Sequence, residues 1–263
     1  MNSRWAAPGL TLITLLAITG AAAQTAPSVQ GYLARHAEPD TRRLLPPPPK
    51  AGSGRESDDR AIFAATRALV GQSRWRLATA DADMSPGPAL FACAIGAELN
   101  ADNAPILTML LRRTSVDARA VVDPPKDHYA RPRPYLTAAN APAICVPKTD
   151  ALAKSPSYPS GHATLSWAWG LILAELAPDR AIDVLMRARS IGESRIVCGV
   201  HYLSDVEQGR TNGSALVAAL HGDPAFRADM DKARVEITTI RQISHTAPGD
   251  CTAQTEAAAH PPY

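Results

Sequence analysis

The sequence predicts an all-α protein that folds as a single-domain helical bundle. Apolar residues recur at helical spacing in several segments, and no segment shows the strict alternation of a half-buried strand. Proline precedes or opens several of these segments, where its fixed φ angle favours the first helical turn. The chain has 263 residues, 46% of them hydrophobic, which is enough for one buried core. Its formal net charge of +2 is too small to indicate nucleic acid as a partner.

Residues 1–23 resemble a secretory signal peptide. Arg4 supplies the positive charge, residues 10–18 form the apolar run, and Ala21-Ala22-Ala23 supplies the small residues of a cleavage site. The apolar run is too short to span a bilayer, and no later stretch reaches about 18 continuous apolar residues. We therefore expect a periplasmic or secreted protein without stable membrane insertion. A buried N-terminal helix is the alternative.

Residues 24–56 are expected to form a proline-rich arm. Four consecutive prolines, Pro46 to Pro49, favour an extended polyproline II conformation, so the arm should lie over the domain. A helical domain should cover residues 57–242. Residues 243–263 should form a polar tail that is loose unless Cys251 pins it.

The first helix of the domain should begin at Ser57-Asp58-Asp59 and run to about Ala80, because these polar residues can cap a helix and complement its dipole. Asp81 and Asp83 follow it. Two acids could bind a metal ion, but a solvated loop with a helix cap explains them better.

Six further helices are predicted from apolar periodicity and from prolines at their ends. They cover about residues 88–99, 105–122, 163–177, 181–194, 203–220 and 224–240. The triplet Asp123-Pro124-Pro125 should break the chain, because proline cannot donate within the helical ladder of hydrogen bonds. A loop dense in cations, residues 126–135, and a mostly irregular stretch, residues 136–156, should follow.

The four cysteines are expected to form disulfides. Cys93, Cys145, Cys198 and Cys251 make an even set, and an exported protein enters an oxidising compartment. Four cysteines allow three pairings, and the sequence does not choose among them. A structural zinc site is the alternative, but no C-x-x-C spacing supports it.

Residues 192–205 contain the first candidate for catalysis, a histidine and an aspartate four residues apart. Positions i and i+4 share one face of a helix, so Asp205 can accept the Nδ1–H of His201 and leave Nε2 free as a nucleophile. Such a pair alone is more often structural than catalytic. Arg195, six residues before His201, adds a planar guanidinium group whose N–H donors suit phosphate oxygens.

Two further cations come from another region of the chain. Lys126 and Arg133 would, with Arg195, match the charge of a phosphate monoester, about −1.5 to −2 near neutral pH, and the spread charge of a phosphoryl transition state. Each cation alone is more often a solvated surface charge. Pro132 and Pro134 fix the backbone on either side of Arg133.

The stretch Pro159-Ser160-Gly161-His162 lies at the predicted start of a helix, where free N–H groups and the dipole favour an anion. Gly161 allows close approach of backbone to phosphate. Ser160 can donate its hydroxyl or cap the helix, and His162 can protonate a departing alkoxide. An ordinary helix cap is the alternative.

These three stretches, in this order, resemble the three-part signature of the type-2 phosphatidic acid phosphatase (PAP2) superfamily. That superfamily includes bacterial class A non-specific acid phosphatases and vanadium haloperoxidases. The match covers Lys126 with Arg133-Pro134, then residues 159–162, then Ser194-Arg195 with His201 and Asp205, without a substitution. The proline-rich arm, residues 74–83 and residues 198–205 are most similar to the class A acid phosphatases. The resemblance implies the helical bundle of this superfamily.

The resemblance also implies roles for these residues. His201 would be the nucleophile that forms a phosphohistidine, Asp205 its orienting partner, and His162 the general acid and later the base that activates water. The phosphate cradle would comprise Lys126, Arg133, Ser160, Gly161 and Arg195. No metal ion or other cofactor is implied. His128 could touch substrate, but a simple loop residue is the preferred interpretation.

An acid phosphatase acting on small phosphate monoesters and inhibited by vanadate is therefore expected. A vanadate-dependent haloperoxidase is the nearest alternative, although such enzymes are usually much longer. A non-catalytic phosphate-binding protein is the alternative from another class, but binding alone requires neither histidine nor Asp205. The natural substrate stays open, as does a homo-oligomeric state.

Overall fold

The computed structural model describes Met1 and residues 29–35, 39–243 and 248–263. Within them the chain forms eleven α-helices and no strand, so the all-α prediction is confirmed. The helices are α1 (Gly54–Thr66), α2 (Ser73–Ala80), α3 (Ala92–Ile95), α4 (Pro105–Tyr129), α5 (Pro134–Thr137), α6 (Asp150–Lys154), α7 (Gly161–Leu176), α8 (Ala181–Val197), α9 (Leu203–Leu220), α10 (Pro224–Ile243) and α11 (Thr252–Ala259). The predicted signal peptide lies outside the described residues, apart from Met1. No helix in the described ranges is both long and apolar enough to cross a membrane.

The apolar helix α7 lies at the centre and packs along α8 and α9. Glycines in α9 permit this contact. A Cβ at Gly209 would lie 2.7 Å from the carbonyl oxygen of Ser160, and one at Gly213 would lie 2.6 Å from that of Thr164. Because α9 rests directly on the backbone of α7, the start of α9 lies beside the start of α7.

Helix α4 continues through Pro124 and Pro125 to Tyr129, so the predicted break at residues 123–125 is wrong. A proline at position 125 leaves the carbonyl of Val121 without its helical donor. Two side chains replace that donor: Thr41 Oγ1 donates to the Val121 oxygen at 2.8 Å and Asn212 Nδ2 at 3.0 Å. The helix thus survives because its neighbours satisfy the freed carbonyl. Lys126 therefore lies on a helix rather than in a loop.

The predicted helix over residues 57–80 is two helices, separated by a 3-10 turn and by Gly71, whose φ is +79°. It also begins earlier than expected, because Ser53 caps it by accepting from the Glu56 N–H at 3.3 Å. The predicted helix over residues 88–99 is a 3-10 turn followed by α3, which ends at Gly96 in a left-handed conformation.

The arm contacts the domain through two tyrosine hydroxyls. Tyr129 donates to the carbonyl of Leu45 at 2.9 Å, and Tyr158 donates to that of Pro46. Leu45 is itself buried. The arm therefore packs close to the C-terminal end of α4, where Lys126 lies.

All four cysteines form disulfides, Cys93–Cys251 and Cys145–Cys198. The first holds the C-terminal segment, so the tail is pinned by Cys251. Helix α11 packs on α8 and α2, and the hydroxyl of Tyr263 donates to Glu193 at 3.0 Å. The described part of the tail is thus ordered against the domain.

Candidate active site

His201 lies in a short connection between α8 and α9 that is fixed at several points. Cys198 is joined to Cys145, and its carbonyl accepts from the Cys145 N–H at 3.1 Å. Gly199 has a φ of +81°, and a Cβ there would lie 2.5 Å from a guanidinium nitrogen of Arg67. Arg67 also donates to the last carbonyls of α8, at 3.0 and 2.5 Å. These contacts hold the backbone that presents His201.

His201 and Asp205 meet, but not on one helix face as predicted. Helix α9 begins at Leu203, so His201 precedes it and Asp205 lies in its first turn. The Asp205 carboxylate turns back: Oδ2 accepts from the Tyr202 N–H at 2.9 Å and lies 3.4 Å from His201 Nδ1. Both side chains are buried. The pairing thus uses a helix N-terminus, where a carboxylate also meets free N–H groups.

The tautomer of His201 follows from its neighbours. Arg133 Nη1 lies 3.2 Å from Nε2, and a guanidinium only donates, so Nε2 carries the lone pair. The hydrogen is therefore on Nδ1, facing Asp205. Burial lowers the pKa of His201 well below its ordinary value, and the cations Arg133 and Lys126 add to the shift. His201 is thus a neutral imidazole with Nε2 available as a nucleophile.

The sequence did not indicate a role for Arg131, which contacts the Asp205 carboxylate of this pair. Its Nη1 donates to Asp205 Oδ1 at 2.5 Å and to Ser204 Oγ at 2.8 Å, while Nη2 donates to Asp59 Oδ2 at 2.8 Å. Burial raises the pKa of Asp205, and Arg131 opposes that rise. The only sequence signal for Arg131 was its position two residues before Arg133. That spacing does not show whether an arginine binds phosphate or supports another residue of the site.

Arg133 is held by carbonyl groups on three sides. Its Nε donates to Leu152 and Ser155 at 3.0 and 2.9 Å, and its Nη1 donates to Val200 at 2.9 Å. Lys126 donates to the carbonyl of Pro156. Burial and, to a smaller extent, the charge of Arg133 lower the pKa of Lys126 to about 8. An entering anion would therefore meet cations that are already fixed and partly desolvated.

Arg195, in the last turn of α8, is buried, yet its Nε and Nη1 have no hydrogen-bond partner among the described residues. Burial lowers its pKa to about 10, and Arg133 contributes. Buried donors without partners are costly, so this guanidinium is suited to an anionic ligand. The arginine is joined to the nucleophile through its backbone, because its carbonyl accepts from the His201 N–H at 3.3 Å.

Asp81 supports this part of α8, and its assignment to a solvated loop is wrong. It is 1% exposed and pairs with Arg187 at 2.6 Å. Its Oδ2 also accepts from Ser194 Oγ at 2.5 Å, beside Arg195. Asp83 is exposed and accepts from the Ser85 N–H at 2.8 Å. The sequence did not reveal this network because Arg187 lies more than 100 residues away.

Helix α7 begins at Gly161, so its N-terminal N–H groups lie where the sequence predicted an anion site. Ser160 is its N-cap, and its hydroxyl accepts from the Ala163 N–H at 3.3 Å. The N–H groups of Gly161 and His162 have no partner within the described part of the chain. His162 Nε2 lies 3.1 Å from the carbonyl of Ala82, which only accepts, so Nε2 carries hydrogen. Burial lowers the pKa of His162 to about 3, and the positive charge of Arg195 contributes.

One cavity of about 1,040 Å³ brings the predicted residues together. Of the eight, five line it: Lys126, Arg133, Gly161, His162 and His201. The other three, Ser160, Arg195 and Asp205, are buried beside them. His128 is on α4, is exposed, and contacts the Tyr129 ring edge-to-face, with the centroids 4.7 Å apart, without lining this cavity. In the described residues, no group of three or more His, Cys, Asp or Glu side chains could hold a metal ion.

Comparisons with known proteins identify the family of this chain. Residues 105–227 match the model of the PAP2 superfamily. An acid phosphatase of Zymomonas mobilis subsp. mobilis is 41% identical over 227 residues, or 85% of each chain. A non-specific acid phosphatase of Providencia stuartii is 35% identical over 215 residues, covering 80% of this chain and 86% of the relative. One from Salmonella typhimurium is 30% identical over 230 residues, covering 86% and 91%.

The chain therefore belongs to the PAP2 superfamily. Within that superfamily it belongs with the bacterial non-specific acid phosphatases, as the resemblance in its motifs predicted.

Proposed function

We propose that this protein is an exported acid phosphatase that hydrolyses a broad range of phosphate monoesters through a phosphohistidine at His201. One observation carries the proposal: His201 Nε2, free of hydrogen, lies in a cavity with fixed cations and the free N–H groups of α7. A phosphoryl group bound by those donors would have Nε2 within reach of phosphorus. Binding alone would not require a neutral imidazole oriented by a buried carboxylate.

In the first step, the Nε2 lone pair of His201 forms a bond to phosphorus while the bond from phosphorus to the leaving oxygen breaks. Lys126, Arg133 and Arg195 stabilise the negative charge on the phosphoryl oxygens. Asp205 stabilises the positive charge that develops on the imidazole, because it faces Nδ1–H.

His162 supplies the proton for the leaving oxygen. Since Nε2 donates to Ala82, the proton that is transferred comes from Nδ1 of the imidazolium. Burial and the positive charge of Arg195 lower the pKa of His162 to about 3. A bound phosphate dianion offsets the surrounding positive charge and raises that pKa, so protonation in mild acid accompanies substrate binding.

In the second step, water attacks phosphorus and the bond to His201 Nε2 breaks. Neutral His162 now accepts the proton of the water through Nδ1 and returns to the imidazolium. Inorganic phosphate leaves, and His201 regains its lone pair. Each histidine is thereby restored for the next cycle.

A broad substrate range is expected because the hydrogen-bond donors of the cradle face the phosphoryl group and not the rest of the substrate. The cradle residues surround the position of the phosphoryl group, and the cavity continues away from it over a large volume. Vanadate should inhibit, because its five-coordinate form resembles the transition state and needs the same donors.

Export is part of the proposal and rests on the signal-like residues 1–23 and on two disulfides, which persist in oxidising compartments. Mass spectrometry of periplasmic protein should find a chain cleaved near Ala23. A cytoplasmic protein with its first residues intact would contradict export.

The catalytic proposal is tested by His201→Ala, with His128→Ala as a matched histidine outside the cavity. Turnover of p-nitrophenyl phosphate should fall by several orders of magnitude in the first variant only, because Nε2 is the atom that accepts the phosphoryl group. If His201→Ala kept more than a few per cent of the turnover, the covalent mechanism would be wrong.

A further inference from the structure

The cavity that holds His201 extends well beyond the phosphate cradle. Its floor follows one face of α7 from His162 past Leu165 to Trp169. The indole of Trp169 donates to the carbonyl of Leu111, which belongs to the opposite wall. Nothing in the hydrolysis of the phosphate bond itself uses this half of the cavity, away from the cradle.

The wall opposite α7 is one stripe of helix α4. Residues of the cavity recur there at helical spacing, from Thr108 through Arg112, Arg119 and Asp123 to Lys126. Seven residues separate Arg119 from Lys126, which is about 10 Å along a helix. Arg112 lies a further two turns away. The wall therefore places positive charges at regular distances from the phosphate position.

Neither Arg112 nor Arg119 has a hydrogen bond or ion pair to another described residue. Arg113, by contrast, lies outside this stripe of α4 and pairs with Asp229 at 3.1 Å. The two cavity arginines thus keep their donors free beside an apolar floor.

Asp123 restricts where a second negative charge can lie. It lines the cavity between Arg119 and Lys126, and its carboxylate is exposed. An anionic group close to the scissile phosphate would meet this carboxylate. An anionic group two helical turns away would instead meet Arg119, over the apolar surface of Leu165 and Trp169.

From this arrangement we propose that the half of the cavity away from the phosphate cradle binds an extended leaving group with an apolar middle and a second anionic group at its far end. Arg119 recognises that group, and Asp123 disfavours a second charge nearer the phosphate. This inference rests on the proposed phosphatase function and specifies its substrate class.

The test uses monophosphates of linear alkanediols of increasing length, each compared with the analogue whose far end is a carboxylate instead of a hydroxyl. In the wild-type protein, kcat/KM should favour the hydroxyl compound for short chains. It should favour the carboxylate, by about three- to fivefold, once the chain spans about 10 Å. Added salt should reduce that preference, since the arginine is exposed.

Arg119→Gln should abolish the preference for the long carboxylate, and Asp123→Asn should extend that preference to shorter chains. Arg76→Gln removes an exposed charge outside the cavity and should leave the ratio at every chain length as in the wild type. Hydrolysis of both long substrates at equal kcat/KM would overturn the inference while leaving the phosphatase function intact. Failure to hydrolyse any of these phosphates would overturn both.

Discussion

Arg131 Nη1 lies 2.5 Å from Asp205 Oδ1, on the side of the carboxylate opposite to His201. The same guanidinium reaches Asp59 at 2.8 Å, so two buried carboxylates share one cation. Asp205 can therefore stay ionised, although burial raises its pKa. The orientation of His201 depends on that ionisation, because the negative charge of Asp205, 3.4 Å from Nδ1, attracts the Nδ1–H.

Arg131→Lys should lower kcat/KM by about 10- to 100-fold, because a lysine cannot contact Asp59 and Asp205 in the same geometry. The pKa of Asp205 should rise, so activity should be lost at a higher pH as the solution is acidified. The pH profile of kcat/KM measures this shift. Arg113→Lys, at the Asp229 pair, is the control and should keep the wild-type acid limb. A lower rate with an unshifted profile would leave Arg131 with a purely structural role.

Asn212→Ala should destabilise the protein by about 1–3 kcal/mol, since it removes one of the two donors to the Val121 carbonyl. Urea unfolding measures the free energy. Thr211→Ala changes the neighbouring residue, whose hydroxyl bonds only within α9 at 3.3 Å, and should cost less than about 0.5 kcal/mol. Equal losses in the two variants would show that α4 does not depend on Asn212 to pass through its prolines.

The two disulfides should differ in their effect on turnover. Replacing Cys145 and Cys198 by alanine should lower both stability and kcat, because the connection that presents His201 is released at one end. Replacing Cys93 and Cys251 should lower stability, by about 4–5 kcal/mol in the chain-entropy estimate for such long loops, and leave kcat nearly unchanged. Turnover is compared at a temperature where each variant is folded. A similar kcat in both variants would contradict the role given to the Cys145–Cys198 bond.

The sequence could indicate the residues of the candidate site because each motif lies within a few positions of the chain. Ser160 and Gly161 form a helix start, and His201 and Asp205 are four residues apart, so each motif is legible within a few positions. The spacing did not reveal that His201 lies outside α9. A helix face and a helix N-terminus bring these two residues together equally well.

The predictions from sequence were wrong where residues distant in the chain determine the local structure. Pro124 and Pro125 would end an isolated helix, but in the fold Thr41 and Asn212 donate to the Val121 carbonyl that Pro125 leaves free. Asp81 resembles a loop acid until Arg187 is placed beside it. The long first helix was divided because a glycine with positive φ, Gly71, turns the chain.

The central claim is the covalent bond between phosphorus and His201 Nε2, with His162 needed to hydrolyse it. His162→Ala keeps the nucleophile and removes the acid and base. It should therefore still react with p-nitrophenyl phosphate, whose leaving group needs little help, and then stall before water attacks. An alkyl phosphate, whose leaving group needs the proton, should lose far more rate.

The direct measurement is the acid-labile, base-stable phosphate on His162→Ala after brief mixing with p-nitrophenyl phosphate, with the labelled residue located by mass spectrometry. We predict close to one phosphate per chain, on His201, and none in the double variant His162→Ala/His201→Ala. Equal rate losses on the aryl and alkyl phosphates, with no phosphate trapped on His201, would contradict the account.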